Sequence, residues 1–149
     1  MNINRAIYIA TEAHRDQKDK VDKPYITHVM RVMERCKTDE EKIVAVLHDV
    51  VEDCSHLGWT IERLREEFSA SVVDAVDAIT KRENESKMDY IERVKQNPIA
   101  VRVKLNDLED NMDIRRLPEI TDRDVERLRR YLRTYKDLLV ITQDQLTNV

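Results

Sequence analysis

The chain has 149 residues, 41% hydrophobic and 38% charged, with 26 Lys and Arg against 30 Asp and Glu for a net charge of −4. That length suits one domain spanning residues 1–149 around one core. An acidic balance without a basic block argues against a nucleic-acid polymer as partner, and no apolar run approaches the roughly eighteen residues a membrane span needs.

Two cysteines, Cys36 and Cys54, are too few for a disulfide framework and read as reduced thiols. The opening MNINRAIYIATEAH lacks a basic-then-apolar signal pattern, so the expected location is the cytoplasm. One Gly, three Pro and 5% aromatic residues describe a compact all-α protein.

Apolar periodicity predicts about eight helices, near residues 3–17, 24–36, 39–54, 60–68, 70–82, 87–96, 98–113 and 121–144. Pro24 and Pro98 suit first helical turns, Thr38 and Thr60 suit N-caps, and Thr121 with Asp124 resembles a capping box. The first helix carries His14, to which, like His56, no role is assigned. The second places His28 at the edge of an apolar stripe of Ile26, Val29, Met30 and Met33, where an imidazole either packs or coordinates.

The third helix puts Ile43, Leu47, Val50 and Cys54 on one side and His48, Asp49, Glu52 and Asp53 on the other. Asp49 and Asp53, four apart, repel by about 0.2–0.5 kcal/mol if exposed, and a bound divalent cation would reverse the sign. An ordinary solvated face is the alternative.

On the helix from Pro98, a stripe of Ala100, Lys104, Asp107 and Asn111 runs between two apolar edges. Asp107 therefore needs a partner: a metal, Lys104 or His28. The last helix, with Val125, Leu128, Leu132, Tyr135 and Leu138-Leu139 at near-helical spacing, closes the core or makes a homodimer contact. Together, His28, His48, Asp49 and Asp107 would suit a six-coordinate Mn²⁺ or Fe²⁺, with Zn²⁺ also open.

Three ordered segments, AHRDQKDKVDKPYITHV, AVLHDVVED and VKLNDLEDNMD, resemble the HD-domain hydrolases of the bacterial stringent response over roughly residues 5 to 115. These are the guanosine polyphosphate pyrophosphohydrolases of the RelA/SpoT type. The resemblance implies an all-α bundle with His28, His48, Asp49 and Asp107 as metal ligands, Glu52 and Asp53 as a catalytic acidic pair, and Lys20 and Asn111 at the substrate. It also implies a divalent cation, usually Mn²⁺, and removal of the 3′-pyrophosphate from (p)ppGpp. Arg15, Lys18, Lys20, Lys23, Lys81 and Lys104 are available to compensate the anionic nucleotide.

Asp19 stands where that family has arginine, Asp16 replaces a glycine, Val29 replaces a proline, and Met112-Asp113-Ile114 lacks a threonine. These departures keep two alternatives in view: the same chemistry on another nucleotide, such as a nucleoside phosphate or NADPH, and a nucleotide-binding module without turnover. The family's larger members continue into a synthetase domain, an activity that is not expected of residues 1–149.

Overall fold

The computed structural model describes residues 2–147, with side chains through residue 144. Among the described residues nine α-helical segments follow one another: α1 (Ile3–Ala13), α2 (Ile26–Arg35), α3 (Asp39–Leu47), α4 (Val50–Cys54), α5 (Ile61–Arg65), α6 (Ala70–Ile79), α7 (Lys87–Lys95), α8 (Pro98–Asn111) and α9 (Asp122–Thr147). Short 3₁₀ turns lie at Ser55–Leu57 and Ile114–Arg116. No strand forms among the described residues; a lone bridge joins Lys18 to Pro24.

The helix starts follow local chemistry. Thr38 and Glu41 make a reciprocal capping box on α3, Thr60 caps α5, and Asn97 caps α8 with Pro98 in its first turn. Thr121 and Asp124 bond each other's backbone N–H at 3.0 and 3.2 Å at the start of α9.

Helix α3 is the centre of the molecule and packs against α1, α2, α6 and α8. Ile43, Val44, Ala45, Val46 and Leu47 are all 0% exposed, so the second half of this helix is apolar on every side rather than amphipathic. The single helix expected over 39–54 is two, broken at His48-Asp49, where Asp49 has φ −105° and ψ −4°. No Gly or Pro marks the break. In a continuous helix, neighbouring side chains diverge by about 100°. At this break His48 Nε2 instead lies 2.9 Å from Asp49 Oδ2. The relation of Asp49 to Asp53 survives, because Asp53 N–H donates to the Asp49 carbonyl at 2.9 Å.

Helix α6 ends against α7. Arg93 donates to the carbonyls of Asp77, Ala78 and Thr80 at 2.7, 3.1 and 2.8 Å, and Tyr90 Oη donates to that of Ile79 at 2.6 Å. Four carbonyls that a helix end would leave unpaired are thus satisfied from the next helix. The same guanidinium grips Glu85 at 2.8 and 3.0 Å and so fastens the 80–86 join.

Helix α9 lies on α7 and α8. Leu138 is fully buried, whereas Leu132 and Val125 are 46% and 37% exposed. The buried side runs through Tyr131, Thr134, Tyr135 and Leu138, so the helix is rotated from the face expected to cover the core. Tyr135 and Leu138 of the expected face stay at the contact, while Tyr131 and Thr134 stand in for Val125 and Leu132.

Candidate metal centre and active site

Helices α2, α3 and α8 converge on two imidazoles. His28 on α2 and His48 at the end of α3 are 3% and 2% exposed, with ring centroids 5.7 Å apart. Each has one nitrogen fixed by the protein. His48 Nδ1 donates to the Ala45 carbonyl at 2.6 Å, and His28 Nδ1 lies 2.7 Å from Asp110 Oδ2. Both arrangements leave Nε2 with its lone pair aimed inward, as in a ligand oriented by an outer partner.

Two carboxylates meet these nitrogens. Asp107 Oδ1 lies 3.1 Å from His28 Nε2 and 3.5 Å from His48 Nε2, and Asp49 Oδ2 lies 2.9 Å from His48 Nε2. Ligand atoms of His28, His48 and Asp49 fall within 4.8 Å of one another. Buried His48 Nε2 has no hydrogen bond of adequate direction, although Asp49 is close. An orphaned nitrogen beside two carboxylates fits a divalent cation.

The remaining atoms are tied down. Asp107 Oδ2 accepts from Lys104 Nζ at 2.9 Å while its Oδ1 accepts from Asn111 Nδ2 at 2.9 Å. The Lys104 pair and the imidazole contact thus coexist on different oxygens of Asp107. Tyr25 Oη donates to Asp49 Oδ2 at 2.5 Å, and burial beside Asp49 raises its pKa, keeping it a donor.

Charge is strongly coupled here. Burial opposes protonation of His28 and His48, but Asp107 with Asp110 for the first, and Asp49 with Asp107 for the second, outweigh it and raise both. Burial likewise opposes ionisation of Asp107 and Asp49, yet Lys104 with the imidazoles, and His48 with Tyr25, hold these carboxyls low. Protons occupy in effect the place a cation would take.

Glu52 and Asp53 stand on α4 at the rim. Glu52 Oε2 accepts from Lys81 N–H at 3.0 Å and Asp53 Oδ2 from Gln17 Nε2 at 3.0 Å. Partial burial raises both, with repulsion from Asp49 adding to it. They line a cleft of about 400 Å³ with His28, Asp49, Asp107, Asn111 and Lys20. His48 faces an adjoining cavity of about 230 Å³ that shares Asp49, Glu52 and Lys104.

All eight site residues read from the sequence therefore come together. Of the compensating cations, Lys18, Lys20 and Lys104 reach the cleft, whereas Arg15 pairs with Glu12 at the surface away from it. Asp19 lines the cleft, but both of its oxygens are engaged rather than free to repel a phosphate. Its Oδ1 accepts from Val21 and Lys23 N–H at 2.9 and 3.0 Å, and its Oδ2 faces Arg116 Nη1 at 3.5 Å.

Several contributors were missed. Tyr25, Asp110, Arg116, Arg127 and Tyr131 line or brace the site. Only Asp110 carried a signal, being an acidic residue one turn beyond Asp107 on a helix with a buried polar stripe. Its partners Arg31 and Arg35, at 2.8 and 2.9 Å, come from α2 and are visible only in three dimensions.

Residues 6–148 match the family model described as HD domain, and the chain belongs to that family. Phosphohydrolases of this class are metal-dependent, and the His/Asp cluster is a candidate metal site. The chain is 42% identical over 77 residues to the guanosine-3′,5′-bis(diphosphate) 3′-pyrophosphohydrolase of Haemophilus influenzae, covering 49% of this chain and 11% of that one. It is 32% identical over 122 residues to the protein of the same name from Aquifex aeolicus, covering 74% and 17%. It thus spans less than a fifth of the length of these two relatives. A solved structure described as "A metazoan ortholog of SpoT hydrolyzes ppGpp and plays a role in starvation responses" matches with a TM-score of 0.74 and 27% identity, over 92% of this chain and 84% of that one.

Proposed function

We propose that this protein is a metal-dependent phosphohydrolase that removes the 3′-pyrophosphate from guanosine 3′,5′-bis(diphosphate), giving GDP and pyrophosphate. The observation that carries the reading is the convergence of two oriented imidazoles with Asp49 and Asp107, one helical turn from Glu52 and Asp53. His28, His48, Asp49 and Asp107 would hold the cation, with Mn²⁺ the first candidate and Fe²⁺ or Zn²⁺ next. When bound, such an ion supplies Lewis acidity toward a phosphoryl oxygen.

The protein's own groups supply the rest. Glu52 and Asp53, raised from ordinary carboxyl values, are suited to take a proton from attacking water at Oε1 or Oδ1, the oxygens not engaged by Lys81 or Gln17. Lys104 stays charged, held up by Asp107 against burial, and gives the leaving pyrophosphate a cation. Asn111, fixed by Asp107, presents an amide to the substrate.

A second cavity of about 870 Å³ opens beside the cleft and shares Lys20, Arg116 and Arg127 with it. Such a basic recess suits the 5′-diphosphate of the same nucleotide. Arg116 offers a guanidinium beside Asp19, so the recess keeps a cation for the phosphates despite that departure. A cytoplasmic location is part of this reading.

Purified protein with Mn²⁺ is expected to release pyrophosphate from ppGpp with higher kcat/KM than from NADPH or nucleoside monophosphates. Full activity in a His48→Ala, Asp49→Ala variant would refute the metal assignment.

A further inference from the structure

Behind the acidic pair lies a hydrogen-bonded chain, buried at its His14 end, that the reaction as described does not use. His14, at the end of α1 and 1% exposed, has Nδ1 2.7 Å from Gln17 Oε1, and Gln17 Nε2 donates to Asp53 Oδ2 at 3.0 Å. We propose that His14 and Gln17 are positioning residues that aim the Asp53 carboxylate at the reacting water, with the His14 tautomer setting the direction of the Gln17 amide.

The polarity of the chain follows from its ends. Asp53 presents only acceptors, so the amide must turn its NH₂ toward it and its oxygen toward His14. The oxygen then requires an N–H at Nδ1. Burial lowers the pKa of His14, which favours the neutral ring, and its Nε2 is buried with no partner, as befits a bare lone pair rather than an orphaned N–H. A reversed amide would set oxygen against carboxylate and NH₂ against N–H, two unfavourable contacts.

The relay is also anchored as a unit. Gln17 N–H donates to the His14 carbonyl at 3.0 Å, and its own carbonyl accepts from Tyr25 N–H at 2.9 Å. The His14 ring packs on Tyr25 at 5.0 Å, the residue that donates to Asp49. Cys54 Sγ lies 3.6 Å from His14 Nδ1 and 4.0 Å from Gln17 Oε1, but the Ala13 carbonyl is a nearer acceptor for its thiol at 3.3 Å, and the 2.7 Å contact with Gln17 Oε1 is the shortest that Nδ1 makes.

This inference rests on the reading of Asp53 as an acidic group of the reaction, and a double-mutant cycle separates the two. In the Mn²⁺-loaded protein, Gln17→Met keeps side-chain length without a donor, and His14→Phe keeps the ring without Nδ1–H. Each is expected to lower kcat for ppGpp about tenfold with KM changed less than about twofold. In an Asp53→Asn background, followed under single-turnover conditions with enzyme in excess, either substitution is expected to change the rate less than about twofold. Equal losses in both backgrounds, or loss in KM alone, would overturn the relay.

If Asp53→Asn itself keeps wild-type kcat, the role of Asp53 falls and the relay with it. A fall in Asp53→Asn with none in Gln17→Met overturns the relay alone. Thermal melting checks folding, and Gln17→Met, on a partly exposed side chain, carries the test if His14→Phe does not fold.

Discussion

Asp110 and His28 meet at 2.7 Å in the interior, and the carboxylate, 0% exposed, is also gripped by Arg31 and Arg35 at 2.8 and 2.9 Å. One buried anion thus fixes an imidazole tautomer and joins α8 to α2. Burial would raise its pKa, but His28 and Arg31 hold it far below the ordinary carboxylate range.

Asp110→Asn is expected to weaken Mn²⁺ binding about 10–100-fold, by the loss of an outer partner that orients a ligand. It should also cost about 2 kcal/mol of stability, below the usual penalty for a broken buried pair because Arg31 and Arg35 keep 33% and 31% of their exposure. Calorimetry with Mn²⁺ and urea unfolding measure the two effects. Wild-type affinity in the variant would remove Asp110 from the metal site.

The coupled charges set a pH window for the metal-free protein. His28 and His48 are raised, so their stabilisation is full below the ordinary imidazole value of 6.5 and is lost as pH rises through the folded values. Asp107 and Asp110 are lowered, so theirs is full above the ordinary 3.8 and is lost as pH falls through the folded values. Urea midpoints without metal should therefore peak between these limits. Added Mn²⁺ should restore stability on the alkaline side and release protons on binding, which calorimetry in two buffers detects.

Arg116→Ala is expected to raise KM for ppGpp about tenfold, or about 1.4 kcal/mol, with kcat much less affected. Arg116→Lys should recover only part, since an ammonium does not reproduce a guanidinium fork. A fall in kcat with unchanged KM would place Arg116 in the chemistry instead of in binding.

The rotation of α9 has a direct stability test. Leu138→Ala removes a fully buried side chain and is expected to cost about 2–5 kcal/mol. Leu132→Ser, on a residue 46% exposed, should change stability by about 0.5 kcal/mol or less. The opposite ranking in urea unfolding would mean that the helix docks by its other side.

The all-α class and the convergence of His28, His48, Asp49 and Asp107 were legible because helical periodicity and three ordered motifs carry them locally. The break at His48-Asp49 was not, since no Gly or Pro announces it. The turn of α9 escaped for a related reason: Tyr131 and Thr134 pack where Val125 and Leu132 looked more apolar. Asp19 looked like a charge facing phosphate until its turn and Arg116 were seen to engage it. His14 was undistinguished because its meaning lies in Gln17 and Asp53, the second of them 39 residues away.

The clasp that Arg93 makes on the end of α6 reaches into the chemistry. It holds Thr80 and Glu85, and between them the Lys81 amide grips Glu52. A proteolytic nick or an inserted residue within this stretch, though far from either histidine along the chain, would release one carboxylate of the acidic pair. With Glu52 in its proposed role, changes in loop length at the crossing from α6 to α7 are expected to alter turnover.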